Sequence, residues 1–314
     1  MYKPIFKILF TAVVILSSLF AICQSKKLPD GLLYQVETYH FPYHLGVPDD
    51  KTKLPSDLKE ISGIVYLGDG LIAGVEDEHG IIYLIDLESG EIEKEIKFSN
   101  KGDYEGLAIV GSTAWVLKSN GDLYRVKEYK KGKDERKTRK FETDLSSKND
   151  AEGLTYDHAN NRLLIACKGH PYIDDRDGKH LKGIYTFDLE EKTLDPEPII
   201  LIDLKKIQDI KDYNSFSSMG VNIMSEIDEN KGDVSFQPSD IAIHPYSGNY
   251  YVIGAVGDLL LVYSTDGKLL AVAELENQIF KQAEGISFDK DADMYISNEG
   301  RDGKANILKF NNKD

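Results

Sequence analysis

A short acidic phrase returns along this chain and constrains its fold more than any other feature. Glu105-Gly106-Leu107, Glu152-Gly153-Leu154 and Glu284-Gly285-Ile286 share one form: an acid, a glycine and the start of an apolar strand. Glu60-Ile61-Ser62-Gly63-Ile64 and Ser239-Asp240-Ile241-Ala242 are looser copies. Glu60 and Glu105 lie 45 positions apart, Glu105 and Glu152 lie 47, and Asp240 and Glu284 lie 44. A recurring period of this length means that one structural unit is copied along or around an architecture.

Each interval carries short apolar or alternating runs split by turn residues. In the first, Ile61 to Tyr66, Leu71 to Val75, Ile81 to Asp86 and Ile92 to Phe98 are separated by Gly68-Asp69-Gly70, an acidic loop and Glu88-Ser89-Gly90. A four-stranded sheet cannot bury both faces alone, so copies of about 40–45 residues stack around an axis as the blades of a β-propeller. The expected fold is all-β, a single domain over residues 32–314 with five four-stranded antiparallel blades. The interval from Glu152 to Asp240, 88 positions, leaves two readings open. Either a sixth blade lacks the phrase, or the third blade carries an insertion around 205–235 that is part helix. The fifth repeat stops after three strands, and the run Leu32 to Tyr39 is expected to supply the fourth, latching the ring and hiding an edge. Phe41 to Leu58 reads as a connector, and the basic run Lys127 to Lys140 as a solvated loop.

Residues 1–23 have the form of a targeting segment. Lys3 and Lys7 precede an uncharged apolar run from Ile8 to Ile22, short of the roughly 20 residues that span a bilayer comfortably. Cleavage after Cys23, lipidation at Cys23 and an uncleaved anchor all lead to an exported location, periplasmic or associated with the cell membrane. Cys167 lies in an apolar run and is expected to be a buried structural thiol. Net charge of −15 argues against nucleic acid, whose phosphates need clustered Lys and Arg.

In a propeller the equivalent residues of the innermost strands form a ring about the axis. Glu60, Glu105, Glu152, Asp240 and Glu284 are therefore expected to face one another at one mouth of the channel. Crowded carboxylates repel unless a basic partner such as Lys118 or Lys168, or a bound cation, compensates. Calcium suits such a set, since it takes six to eight hard oxygen ligands. The loops after the second strands should share the mouth, making Asp77, Lys118, Lys168, Asn298 and Glu299 candidate ligand-binding residues. His170 and His244 read as incidental. No nucleophile elbow, zinc helix or phosphate loop occurs, and Asp291-Ala292-Asp293 reads as a hairpin turn.

Leu58-Lys59-Glu60-Ile61-Ser62-Gly63-Ile64, Val75-Glu76-Asp77-Glu78, Asp103-Tyr104-Glu105-Gly106-Leu107 and Pro238-Ser239-Asp240-Ile241-Ala242-Ile243-His244-Pro245 resemble the SdiA-regulated family of bacterial envelope propellers. The resemblance runs from about Leu32 to the C-terminus. It implies five blades, distant similarity to NHL-repeat and TolB propellers, a bound calcium ion and an exported or membrane-associated location, with no established catalysis. Two function classes follow. One is a calcium-binding platform for an envelope protein or small anionic ligand. The other is a calcium-dependent hydrolase, lactonase- or phytase-like, with its site at the channel mouth and Lys118 and Lys168 receiving an anionic substrate.

Overall fold

The computed structural model describes residues 28, 31–134, 136–218, 236–301 and 303–313. The targeting segment expected at 1–23 lies outside the described residues. Among those described, no helix is long and apolar enough to cross a membrane.

Two short strands, β1 (Leu32–Gln35) and β2 (Asp50–Lys53), precede the first full blade. That blade is β3 (Ile61–Gly68), β4 (Leu71–Glu76), β5 (Ile81–Asp86) and β6 (Ile92–Lys97). The second is β7 (Tyr104–Val110), β8 (Thr113–Lys118), β9 (Leu123–Lys127) and β10 (Lys137–Phe141). The third is β11 (Ala151–Asp157), β12 (Arg162–Cys167), β13 (Leu181–Asp188) and β14 (Ile200–Asp203), followed by helix α1 (Leu204–Ser218). The fourth is β15 (Asp240–Ile243), β16 (Tyr250–Gly254), β17 (Leu259–Tyr263) and β18 (Leu269–Glu274). The last contributes β19 (Ala283–Phe288), β20 (Met294–Asn298) and β21 (Asn306–Phe310). The described strands form five antiparallel sheets, and the protein is a five-bladed β-propeller. The long interval holds α1, while residues 219–235 lie outside the described residues.

Closure differs from the sequence expectation. Blade 5 is completed by β2, which pairs with β21 from Asp50 opposite Lys309 to Lys53 opposite Asn306. The run at Leu32 does form a strand, but β1 pairs with β18 and becomes a fifth, outermost strand of blade 4. The supposed connector thus latches the ring. Between the two strands, Phe41, Tyr43 and Leu45 are buried against blades 4 and 5, and the Tyr43 hydroxyl donates to the Ala292 carbonyl at 2.6 Å.

The core lies in the wedges between blades. Trp115 and Phe141 of blade 2 meet Phe187 of blade 3, with ring centroids 5.8 and 6.4 Å away. Buried Cys167 belongs to the same wedge, as expected for a structural thiol, and burial pushes its thiol pKa up. Glycines after the acids set how closely the inner strands approach. A Cβ on Gly106 would sit 2.5 Å from the Leu154 Cβ, and one on Gly153 would sit 2.8 Å from the Asp240 Cα. Below this layer the five inner strands surround an axial cavity of about 190 Å³, its lining including Ile64, Leu107, Leu154, Ile241 and Ile286, one from each blade.

Candidate functional site: the acidic mouth

The ring acids sit where the inner strands break register. Tyr104 pairs with Lys118 and Gly106 with Leu117, so Glu105 is the extra residue of a bulge. The same skip leaves Glu152 between the pairs Ala151–Cys167 and Gly153–Ala166. It also leaves Glu284 between Ala283–Asn298 and Gly285–Ser297. A bulge re-aims one side chain away from the pleat, and here it does so three times at one end of the channel.

The other two blades differ. Blade 1 skips between Ile61 and Ile64, which puts Ser62 at the glutamate position and Glu60 two residues earlier. In blade 4, Asp240 pairs with Ile253 as Gly153 pairs with Ala166, so Asp240 holds the glycine position and Ser239 the glutamate position. The equivalent set is therefore Ser62, Glu105, Glu152, Ser239 and Glu284. Aligning the copies on the apolar residue that follows, rather than on the acid, reveals it.

Asp240 lies one layer deeper than the glutamates and is 2% exposed. The inner strands have a neighbour on one side only, so alternate backbone groups face the axis. The Asp240 carboxylate takes up two of these donors. Its Oδ1 accepts the Leu154 amide of blade 3 at 3.2 Å, and its Oδ2 accepts the Ile286 amide of blade 5 at 2.9 Å. Burial raises its pKa well above the ordinary carboxylate value, outweighing the amides of Ile286, Ile241 and Leu154, which act the other way. Asp240 ties blade 4 to both its neighbours.

The mouth itself holds more acid than base. Glu152 is 5% exposed and pairs with the Lys168 ammonium at 3.0 Å. Burial still raises its pKa against the pull of Lys168. Glu105 is raised by burial and by the Glu152 and Asp103 carboxylates. Burial raises Glu284 too, although Gln282 donates to it at 2.6 Å. Glu299 is pushed up to about 8 by burial and by Glu284, Glu60 and Asp77. Asp77 is pushed up to about 6 by burial and by Glu76, Glu60, Glu78 and Asp103. Glu60 is partly exposed, with Lys59 at 3.7 Å, and it contributes repulsion to both of these groups.

The sequence-predicted ligand residues thus fall into two groups. Asp77, Asn298, Glu299 and Lys168 join the mouth, while Lys118 lies over the Tyr104 ring at 5.8 Å. Asp103, which bears on both Asp77 and Glu105, was missed because it precedes the repeated phrase. Glu76 was missed as well. It is buried, accepts the amides of Glu78 and His79, and pairs with the His79 ring at 2.9 Å, fixing the loop that carries Asp77. Among the described residues, no three His, Cys, Asp or Glu side chains converge as a preformed metal centre. His170 contacts Tyr172, and His244 stacks on Tyr251 away from this mouth.

The raised carboxyls have a pH consequence. Their folded pKa values exceed the unfolded ones, so their contribution to stability is full below about pH 4 and is lost as pH rises through the folded values. Asp77 and Glu299 put that loss between about pH 4 and 8. Without divalent cations the melting temperature should fall from pH 5 to pH 8. The change should be roughly 2 kcal/mol once solvent screening of the half-buried groups is allowed for. Calorimetric scans at constant ionic strength check this, and a melting temperature that climbs over the window would refute it.

Neither a protein-family model nor a curated protein matches the chain. Among solved structures it is similar to the glutaminyl cyclase of Myxococcus xanthus, at 13% identity over 85% of this chain and 97% of that one, with a TM-score of 0.51. A streptogramin B lyase is similar at 13% identity over 83% and 97%, with a TM-score of 0.46. A luciferin-regenerating enzyme is similar at 14% identity over 80% and 77%, with a TM-score of 0.45. At such identities likeness reports architecture alone, and it is the cyclase whose β-propeller fold the chain shares.

Proposed function

We propose that this protein is an exported, calcium-binding propeller of the SdiA-regulated type, which presents its acidic mouth as a platform for a ligand or an envelope partner. The observation that carries the reading is the uncompensated acid of the mouth. Glu105, Glu284, Glu299 and Asp77 all have raised pKa values there, while the Lys168 ammonium is engaged by Glu152. The donor chemistry fits a hard cation. Asp77 Oδ1 and Asn298 Oδ1 are buried without a hydrogen-bond partner, and both are oxygens of the kind calcium takes. Glu105, Glu152, Glu284, Glu299, Asp77 and Asn298 would hold the ion. Asp240 is left out because both its oxygens already accept amides. The apolar leader from Ile8 to Ile22 supports export, and the quoted phrases support the family.

The hydrolase alternative loses one of its two substrate cations, since Lys168 is paired with Glu152. The test is calorimetric titration of the metal-free protein with calcium. Binding should raise the melting temperature and disappear in the double variant Glu105→Gln, Glu152→Gln. No heat and no retained ion at millimolar calcium would overturn the reading.

A further inference from the structure

A second charged region lies on the outer rim, where the wedge between blades 2 and 3 opens to solvent. Its sign opposes the net charge of −15. On the β9–β10 ribbon, Lys127 stands directly opposite Lys137, and Arg125 directly opposite Arg139. Leu123 opposite Phe141 continues the same face, and both belong to the core shared with blade 3. The four cations therefore point to the blade 3 side. Lys192, in the turn between β13 and β14, joins them: burial lowers its pKa first, and Arg125 and Lys127 repel it as well.

Like charges directly opposite on neighbouring strands are destabilising, and this ribbon has two such pairs in succession. Among the described residues, none of the five cations has an ion pair. Asp188 and Glu190 attract Lys192, but the Asp188 carboxylate is held by the amides of Glu190 and Glu191 at 2.7 Å each. The two guanidinium groups share one aromatic support. Arg125 lies 5.1 Å and Arg139 4.7 Å from the Phe141 ring, and Arg125 is also 5.9 Å from Trp115. The Arg125 Nε is buried and has no hydrogen-bond partner. Charge at a sheet edge discourages strand addition, and exposed Lys127 and Lys137 serve that end. Edge protection does not call for a half-buried arginine with an unused donor, nor for a fifth cation from the next blade.

We propose that this rim binds a small soluble anion bearing two or more phosphate groups. Paired guanidinium forks match phosphate oxygens. The four ribbon cations occupy a backbone patch of roughly 5 by 7 Å, too much positive charge for a monovalent anion to neutralise. The site lies on the blade exterior and does not depend on the reading of the acidic mouth.

Titration calorimetry of the full chain with inorganic tripolyphosphate at low salt tests it, alongside vesicles of phosphatidylglycerol. Binding should be tighter than about 100 μM and weaken as salt rises. It should weaken at least tenfold in Lys127→Gln, Arg139→Gln, both exposed positions. Without ligand that variant should melt at or above the wild-type temperature, because a repulsion has been relieved, which also shows that it folds. Glu105→Gln, Glu152→Gln should leave tripolyphosphate binding unchanged. Absence of binding at 1 mM, binding indifferent to the rim variant, or binding to vesicles alone would overturn the proposal.

Discussion

Removing residues 24–58 should abolish folding, whereas removing residues 24–36 should not. The longer deletion takes away β2, the outer strand of blade 5, together with the segment that crosses blades 4 and 5. Phe41, Tyr43, Leu45, Leu54 and Leu58 leave the core with it, each no more than 4% exposed. At about 1.5–3 kcal/mol per large buried side chain, the loss is on the order of 10 kcal/mol, comparable to the whole stability of a typical domain. It also strips β21 of its neighbour and opens a sheet edge to aggregation. The shorter deletion removes β1, an extra strand on a blade that already has four, with buried Leu32 and the partly buried Leu28, Leu33 and Tyr34. Its cost should be about 1–3 kcal/mol. Far-UV circular dichroism and size-exclusion chromatography distinguish the outcomes. A monomeric, cooperatively melting product from the longer deletion would show that β2 does not latch the ring. A milder probe is Leu54→Ala, which should cost about 2–5 kcal/mol by leaving a cavity between blades 5 and 1.

That contrast marks where the sequence is legible. Blade number follows from a repeat whose period matches one four-stranded unit. Leu32-Leu33-Tyr34 announces a strand by composition, but composition does not say which edge the strand joins. Asp50-Lys51-Thr52-Lys53 announces nothing, because β2 is mostly exposed and carries no apolar alternation. Its place is set by backbone pairing with β21 and by the buried Leu54 and Leu58 that follow. The mouth was legible in kind and misread in detail. Glu105, Glu152 and Glu284 are equivalent because each fills a bulge, whereas Glu60 and Asp240 resemble them only in charge. The basic run from Lys127 was visible as charge. Only the β9–β10 register shows that its cations oppose one another, on a face that ends in Phe141.

Asp240 gives the sharpest test of what a buried acid does here, because Ala and Asn substitutions separate acceptor from charge. If its role were to carry charge toward a cation, Asp240→Asn would remove an expensive buried carboxylate and stabilise the metal-free protein. The geometry predicts the opposite. Two oxygens accept two amides from two different blades, so one amide must face the new NH2 group in the Asn variant, donor against donor. Ala leaves both amides unsatisfied in a layer where the backbone is already crowded. Each orphaned buried donor costs roughly 1–3 kcal/mol, so Asn should destabilise by about 1–3 kcal/mol and Ala by about 2–6 kcal/mol. The effect depends on pH with a definite sign. Burial raises the folded pKa of Asp240 above its unfolded value, so its contribution is full at acid pH and declines as pH rises through the folded value. The gap between wild type and Asp240→Asn should therefore be wider at pH 5 than at alkaline pH. Denaturant melts of the two proteins under both conditions decide the matter. An Asn variant more stable than wild type at pH 5 would mean that the Asp240 side chain does not tie the three blades together.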